Sequence, residues 1–216
     1  MSNATETFRT SADTAYEIIC SSILSGTLPP GTKLSRRKMA ELTGVSIIPV
    51  IEALHRLEDE GLVESKPQWG SRVITLTPET IQDRFALREA IECQVVRILC
   101  KRATEKEIGE LYAMAQELDD YENEQKIDDE FWDVHYRFHL RMAQMTGHKS
   151  LEQALHRINL FHLLQRAEMT AHQRELSIPE DNHRRIVRTI EAGDCDRAEA
   201  EMREHIFHSG VATRED

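Results

Sequence analysis

The chain has 216 residues, of which 40% are hydrophobic and 30% charged, a composition that suits a globular protein with one large or two small cores. No apolar run reaches the roughly 18 residues of a membrane span, and the N-terminus lacks the apolar segment of a secretory signal. We therefore expect a cytoplasmic protein with no membrane partner. The four cysteines lack CxxC spacing, so we expect reduced thiols and not a zinc ribbon.

The net charge is −11, which on its face disfavours binding to the phosphates of nucleic acid. The charge is unevenly distributed, however. Residues 1–75 carry 8 Lys or Arg and 9 Asp or Glu, whereas residues 76–216 carry 19 and 29. The segment 33–38, KLSRRK, contains four cations and no acid. The acidity therefore belongs mainly to the second part of the chain and does not exclude a nucleic-acid contact in the first.

The first 75 residues predict three helices and a hairpin. Apolar residues at helical spacing indicate a helix over 12–25, and Ser35 is placed to cap a short helix over 36–42. Ser46 is the cap candidate of a third helix, which ends near Gly61. Two segments typical of strands follow at 62–65 and 71–75.

This order of elements is typical of a winged helix-turn-helix, in which the second of two short helices enters the major groove. A three-helix scaffold with an incidental hairpin is the alternative. Residues 26–73 closely resemble the DNA-binding domain of the GntR family of bacterial transcription regulators. The resemblance rests on the Pro30-Gly31 turn, Gly44-Val45-Ser46, Glu52-Ala53-Leu54, Gly61-Leu62-Val63 and the wing residue Gly70.

The chain departs from the family pattern at Ile47 and Ile51, where the family usually carries arginines that reach phosphates or guanines. We expect these isoleucines, which share a helix face with His55, to contact thymine methyl groups; burial against a neighbouring segment is the alternative. The expected DNA-binding residues are Lys33, Arg36, Arg37, Ser46, Ile47, Ile51, His55, Lys66, Gln68 and Arg72.

The second part of the chain contains only helical patterns, broken by turn residues. They cover residues 78–102, 104–125, 127–146, 149–173, 179–192 and 194–209. Because Pro78 suits the first position of a helix, we place the domain boundary near residue 76. The fold class is mainly α: a winged helix-turn-helix over 1–76, followed by an all-α helical bundle over 77–216.

Histidines mark a candidate metal site in this bundle. His135 and His139 lie four residues apart, which places two potential ligands on one helix face, although an isolated pair of this kind is more often structural. His183 lies early in one later helix and His205 lies late in the next. If those two helices pack antiparallel across Gly193, their imidazoles approach each other and could join the first pair.

Residues 78–209 resemble the FadR-type C-terminal (FCD) effector domain, with matches at 87–92, 135–148 and 182–206. In the metal-binding branch of that family, one Asp and three His hold a divalent ion. The resemblance maps the histidines onto His139, His183 and His205, and places His135 at the position of the Asp. Four imidazoles would leave the ion its full charge and favour zinc, nickel or cobalt over manganese, magnesium or calcium.

The resemblance also implies an effector, a small organic acid whose carboxylate binds the metal. Arg88 matches the family's ligand-facing arginine and could clamp that carboxylate. The alternative is a salt bridge from Arg88 to Glu92, one turn later on the same helix.

These features together predict a ligand-responsive transcription regulator, a repressor, that binds operator double-stranded DNA as a homodimer, because one winged helix covers only a half-site. A metal-dependent hydrolase on a helical bundle is the alternative. It lacks an obvious general base, since Tyr136 follows His135 where a zinc protease of the HExxH type carries Glu.

Overall fold

A computed structural model describes residues 9–124, 126, 128–158 and 182–210. These residues form two compact units, which divide between Thr77 and Pro78. Within the described residues, no helix is long and apolar enough to cross a membrane.

The N-terminal unit contains three helices: α1 (Ser11–Leu24), α2 (Arg36–Thr43) and α3 (Ile47–Asp59). Thr10 caps α1 in a capping box with Asp13, and the Ser35 hydroxyl accepts a hydrogen bond from the Lys38 amide at the start of α2. Gly44 ends α2 with a φ of 71°, a left-handed conformation that costs glycine little, and the chain then turns into α3.

A three-stranded antiparallel sheet completes this unit, with β1 (Lys33–Leu34), β2 (Val63–Lys66) and β3 (Gly70–Val73) in the order β1-β3-β2. The hairpin was predicted. The strand β1 was not, because two residues are too short to show an alternating pattern. It pairs with β3 through Lys33 opposite Arg72. Ile19, Val50, Leu57 and Val73 are among the fully buried residues that join the helices to the sheet.

The C-terminal unit is helical throughout its described residues. Its helices are α4 (Pro78–Arg102), α5 (Glu105–Asn123), α6 (Asp129–Met145), α7 (149–158), α8 (Asn182–Glu191) and α9 (Cys195–Gly210). The part of the predicted 149–173 helix after residue 158, and the start of the 179–192 helix before residue 182, lie outside the described residues. The remaining helix ends agree with the predicted ones within about two residues.

The packing of these helices brings their buried faces around one core. Helix α4 packs against α9, and α5 packs against both α6 and α8. Helices α8 and α9 contact each other across a tight turn at Gly193, whose φ is 68°. Phe131, Phe138 and Met142 of α6 are completely buried in this core. One face of α6 therefore points toward the centre of the bundle, and that face also carries His135 and His139.

Candidate metal centre and nucleic-acid interface

Three helices bring the four predicted histidines together. His135 and His139 come from successive turns of α6, His183 from the first turn of α8, and His205 from the second half of α9. Their relative exposures are 8%, 1%, 0% and 2%. One ring nitrogen from each lies within 4.8 Å of those of the others. Four imidazoles, separated by up to 70 residues along the chain, thus share one small buried volume.

The nitrogen positions suit a metal ion. The Nε2 atoms of His139 and His205 are 3.0 Å apart, within hydrogen-bond distance of each other. Two nitrogens bound to one zinc ion at about 2.1 Å in a tetrahedron lie about 3.4 Å apart, so a small shift of these rings would admit an ion between them. The Nε2 atom of His183 is buried and has no hydrogen-bond partner, which is costly for a polar atom unless something else binds it. A divalent ion would satisfy this nitrogen together with its three neighbours.

A buried carboxylate from α4 orients His139. The Nδ1 atom of His139 donates a hydrogen bond to Glu92, which leaves Nε2 as the nitrogen available to a ligand. Burial lowers the pKa of His139, so its imidazole is neutral, as metal binding requires. Burial opposes ionisation of Glu92, but His139 and Arg88 outweigh it and lower the pKa of this carboxyl to about 2. Glu92 therefore carries a negative charge one hydrogen bond away from the cluster.

A second pair of acids lies beside His183. Its Nδ1 atom is 3.4 Å from Asp119 Oδ1 and 3.5 Å from Glu122 Oε1, and both acids belong to α5. Arg184 donates from Nε to the other oxygen of Asp119 at 2.5 Å. Glu122 has no hydrogen-bond partner, and burial together with Asp119 raises the pKa of its carboxyl to about 8. These groups lie on the side of the His183 ring away from its orphaned Nε2.

Sequence reasoning missed Glu92, Asp119 and Glu122 as parts of this centre. Glu92 entered only as a salt-bridge partner of Arg88, and the two acids of α5 lie in a run that reads as a solvated helix end. The only available signal was helical spacing, which cannot show which neighbouring helix a carboxylate faces. The sequence predicts four ligands without a carboxylate, because His135 stands where the family carries Asp. The structure nevertheless places a negative charge next to these ligands, since Glu92 accepts a hydrogen bond from His139.

Arg88 forms the salt bridge to Glu92 that was the alternative to a contact with an effector. Its Nε donates to Glu92 Oε1 at 2.5 Å, and both side chains are at least 97% buried. A buried pair of this kind is costly to break, because the remaining charge is left uncompensated. In this structure Arg88 therefore supports Glu92, and through it His139; its expected contact with an effector carboxylate stays a prediction.

Helix α3 presents apolar residues to solvent at its N-terminus. Ile47 is 49% exposed and Ile48 is 70% exposed, whereas Ile51 is half-buried. The Ser46 side chain makes no capping hydrogen bond. His55 lies exposed two turns further along the helix. The alternative to a contact with DNA was burial of Ile47 and Ile51 against a neighbouring segment. Among the described residues of this unit, Ile47 is not buried in this way, whereas Ile51 is partly covered.

The remaining predicted DNA-binding residues surround this helix. Lys33, Arg36 and Arg37 are exposed near the start of α2, as are Lys66 and Gln68 in the wing. Arg72 is half-buried, with its guanidinium carbon 4.9 Å from the centre of the exposed Trp69 ring. Sequence reasoning did not single out Trp69. A groove of about 430 Å³ between α3 and the wing is lined by Arg36, Ile51, Leu54, His55, Glu58, Ser65, Lys66, Pro67, Gln68, Gly70 and Ser71.

Comparison with known families matches both units. Residues 11–73 match the bacterial regulatory proteins of the gntR family, and residues 83–208 match the FCD domain. A solved structure of E. coli McbR/YncC, 19% identical, has the same fold, with a TM-score of 0.66 over 94% of this chain and 97% of that one.

Relatives of this chain are named transcription regulators or repressors. The chain is 24% identical to an uncharacterised HTH-type transcriptional regulator, YdhC, of Bacillus subtilis over 89% of this chain and 86% of the relative. It is 28% identical to the HTH-type transcriptional repressor GlaR of Escherichia coli over 89% and 90%. The repressor RspR of the same organism is 31% identical over 61% of this chain and 57% of RspR. The hydrolase alternative thus has no support among these relatives, and the chain is a DNA-binding transcription regulator of the GntR family, with an FCD domain as its second unit.

Proposed function

We propose that this regulator senses a small organic acid through a divalent metal ion held by His135, His139, His183 and His205. The observation that carries the proposal is the buried convergence of these imidazoles around the orphaned Nε2 of His183. Four imidazoles buried together leave the Nε2 atom of His183 without a hydrogen-bond partner, and a metal ion would give this atom a ligand role. With an ion present, every member of the cluster gains a ligand role.

The ligand set bears on which ion binds and how an effector reaches it. Imidazole nitrogen suits zinc, nickel and cobalt better than magnesium or calcium. Four protein ligands fill a tetrahedral zinc ion, so an effector carboxylate must bind as a fifth ligand or enter an ion of higher coordination number. A bound metal would supply a positive charge for that carboxylate, and the chain supplies the orientation of the His139 ring through Glu92.

The DNA side of the proposal rests on α3 and the residues around it. Helix α3 would enter the major groove, with Ile47 and Ile48 against thymine methyl groups and Ser46, Ile51 and His55 along the same side. The exposed cations Lys33, Arg36, Arg37 and Lys66, together with Gln68 and Arg72, would contact phosphates or base edges. Because one winged helix covers a half-site, the operator would be a pseudopalindrome bound by a homodimer. Two relatives are named repressors, which supports repression as the mode of action.

Metal content of the purified protein tests the centre. We expect the double variant His139→Ala with His183→Ala to lose the ion bound by the histidine cluster, because two of its four ligands are gone and the remaining pair cannot hold it. The matched control is His148→Ala, which removes an exposed histidine. Elemental analysis after gel filtration gives the metal per chain.

Mass spectrometry of the small molecules that co-purify tests the effector. We expect a carboxylic acid that dissociates when a chelator removes the metal. Wild-type protein without stoichiometric metal, or a double variant that retains the full wild-type metal content, would refute the proposed centre.

A further inference from the structure

We propose a second cation site on the opposite side of His183, formed by Asp119, Glu122 and the Nδ1 atom of that histidine. It would take a divalent ion of the zinc type, and His183 would bridge the two ions through its two ring nitrogens. The proposal goes beyond the four-histidine centre, with which it shares only His183.

The distances between the three donor atoms support this site. His183 Nδ1 lies 3.4 Å from Asp119 Oδ1 and 3.5 Å from Glu122 Oε1. These separations are long for hydrogen bonds, whose usual range ends near 3.2 Å. They match the roughly 3.4 Å between two ligands that bind one ion at about 2.1 Å in a tetrahedron. The three donor atoms also lie within 4.8 Å of one another.

Glu122 supplies an independent observation. Its side chain is only 5% exposed, and neither carboxylate oxygen has a hydrogen-bond partner. A buried carboxylate needs a proton, a cation or several hydrogen bonds. A proton would neutralise Glu122, but the neighbouring His183 Nδ1 atom lies 3.5 Å from its Oε1, beyond the usual range of a hydrogen bond. A metal ion satisfies an oxygen of Glu122 directly.

The position of both acids near the C-terminus of α5 also favours binding of a cation. Asp119 and Glu122 lie in the last turns of α5, where the helix dipole is negative, and the last turn contains no basic residue. Arg184 binds one oxygen of Asp119, and the other oxygen lies 3.4 Å from both the backbone N–H and the Nδ1 atom of His183. One guanidinium therefore compensates one of two neighbouring carboxylates. Binding of a second ion would displace the Nδ1 proton of His183 to solvent, so His183 would bind as imidazolate.

Zinc titration of the full chain tests the proposal. After saturation with zinc chloride and gel filtration, we expect about two ions per chain in the wild type and about one in Glu122→Gln. The substituted amide keeps the size of the side chain but binds a cation poorly. The matched control is Glu117→Gln, which neutralises an exposed acid on the same helix and should retain both ions.

A second variant separates this site from the four-histidine centre. His139→Ala with His205→Ala leaves all three donors of the second site intact, so it should retain about one ion, lost on adding Glu122→Gln. If the double histidine variant binds as much zinc as the wild type and loses one ion on adding Glu122→Gln, the four-histidine proposal fails and the second site stands. If the wild type saturates at one ion and Glu122→Gln matches it, the second site does not exist and Glu122 is neutralised by a proton alone.

Discussion

Ile47 and Ile48 place two branched apolar side chains at the start of the helix that would read DNA, and Ile47 stands where the sequence resemblance leads us to expect an arginine. Exposed isoleucine in water is unfavourable, so a contact that covers it has a hydrophobic driving force. The major groove offers one apolar group for such a contact, the 5-methyl of thymine. Base choice by this regulator would then rest on methyl groups and less on the hydrogen bonds that an arginine makes to guanine.

Uracil substitution in the operator tests this reading. Replacing the contacted thymines by deoxyuridine removes only the methyl groups, and each lost methyl contact should weaken binding by about 0.8 kcal/mol, roughly fourfold in Kd. Ile47→Ala with Ile48→Ala should bind more weakly and lose its sensitivity to uracil. Leu87→Ala, which truncates an exposed leucine of the other unit, is the control. Equal binding of wild type to both DNAs would show that the isoleucines do not read thymine.

At the scale of single elements, α4 stands out because it contributes no ligand to the histidine cluster and yet supports it. Glu92 on this helix holds His139 through Nδ1, and Arg88 one turn earlier holds Glu92. Carboxylates that orient metal-bound histidines typically affect metal affinity 10- to 100-fold. The chain Arg88, Glu92, His139 therefore connects α4 to α6 through groups that are almost completely buried.

Glu92→Gln should weaken zinc binding by about 10- to 100-fold, because the amide no longer fixes the tautomer of His139 or supplies a negative charge. Competition with a chelator of known affinity measures the change. Glu89→Gln on the same helix, whose carboxylate contacts Arg203 at the surface, should leave zinc affinity unchanged. Both variants are compared at a temperature where circular dichroism shows native helix content. Wild-type affinity in Glu92→Gln would mean that the hydrogen bond does not tune the centre.

At the scale of the whole molecule, the sign of the net charge is a poor guide to the partner. The chain belongs to a DNA-binding family although its net charge is −11. The two facts are compatible because the acidic excess lies almost entirely beyond residue 75, outside the DNA-binding unit. The side chain of Arg37 is 87% exposed and forms an ion pair with Glu41 at 3.0 Å. Because exposed ion pairs contribute little free energy, Arg37 can exchange this partner for a phosphate at little cost.

Arg37→Ala should weaken binding to all DNA sequences and reduce the slope of log Kd against log salt by about 1 per chain, as the loss of one phosphate contact requires. Arg157→Ala removes the same charge from an exposed position of the acidic unit and is the control. Titrations at several salt concentrations give both slopes. If the two variants behave alike, Arg37 acts through net charge and does not contact the phosphates.

Much of this molecule was open to prediction from the chain alone. Periodicity and capping residues located the helices, because amphipathic spacing and caps such as Ser35 act within a few residues. The shared helix face of His135 and His139 was also readable, because it follows from their spacing of four residues. The convergence of His183 and His205 followed from a single short turn at Gly193. Each of these inferences needed only neighbours close in sequence.

Tertiary structure alone decided which polar groups are buried together. The approach of Glu92 to His139 and of Asp119 and Glu122 to His183 joins residues 47 to 64 positions apart, and no spacing rule reports such a distance. The same holds for the exposure of Ile47 and Ile48, which depends on what the rest of the unit leaves uncovered. Local sequence determines which face of its helix a side chain occupies. Packing between helices determines which charged groups contact that side chain.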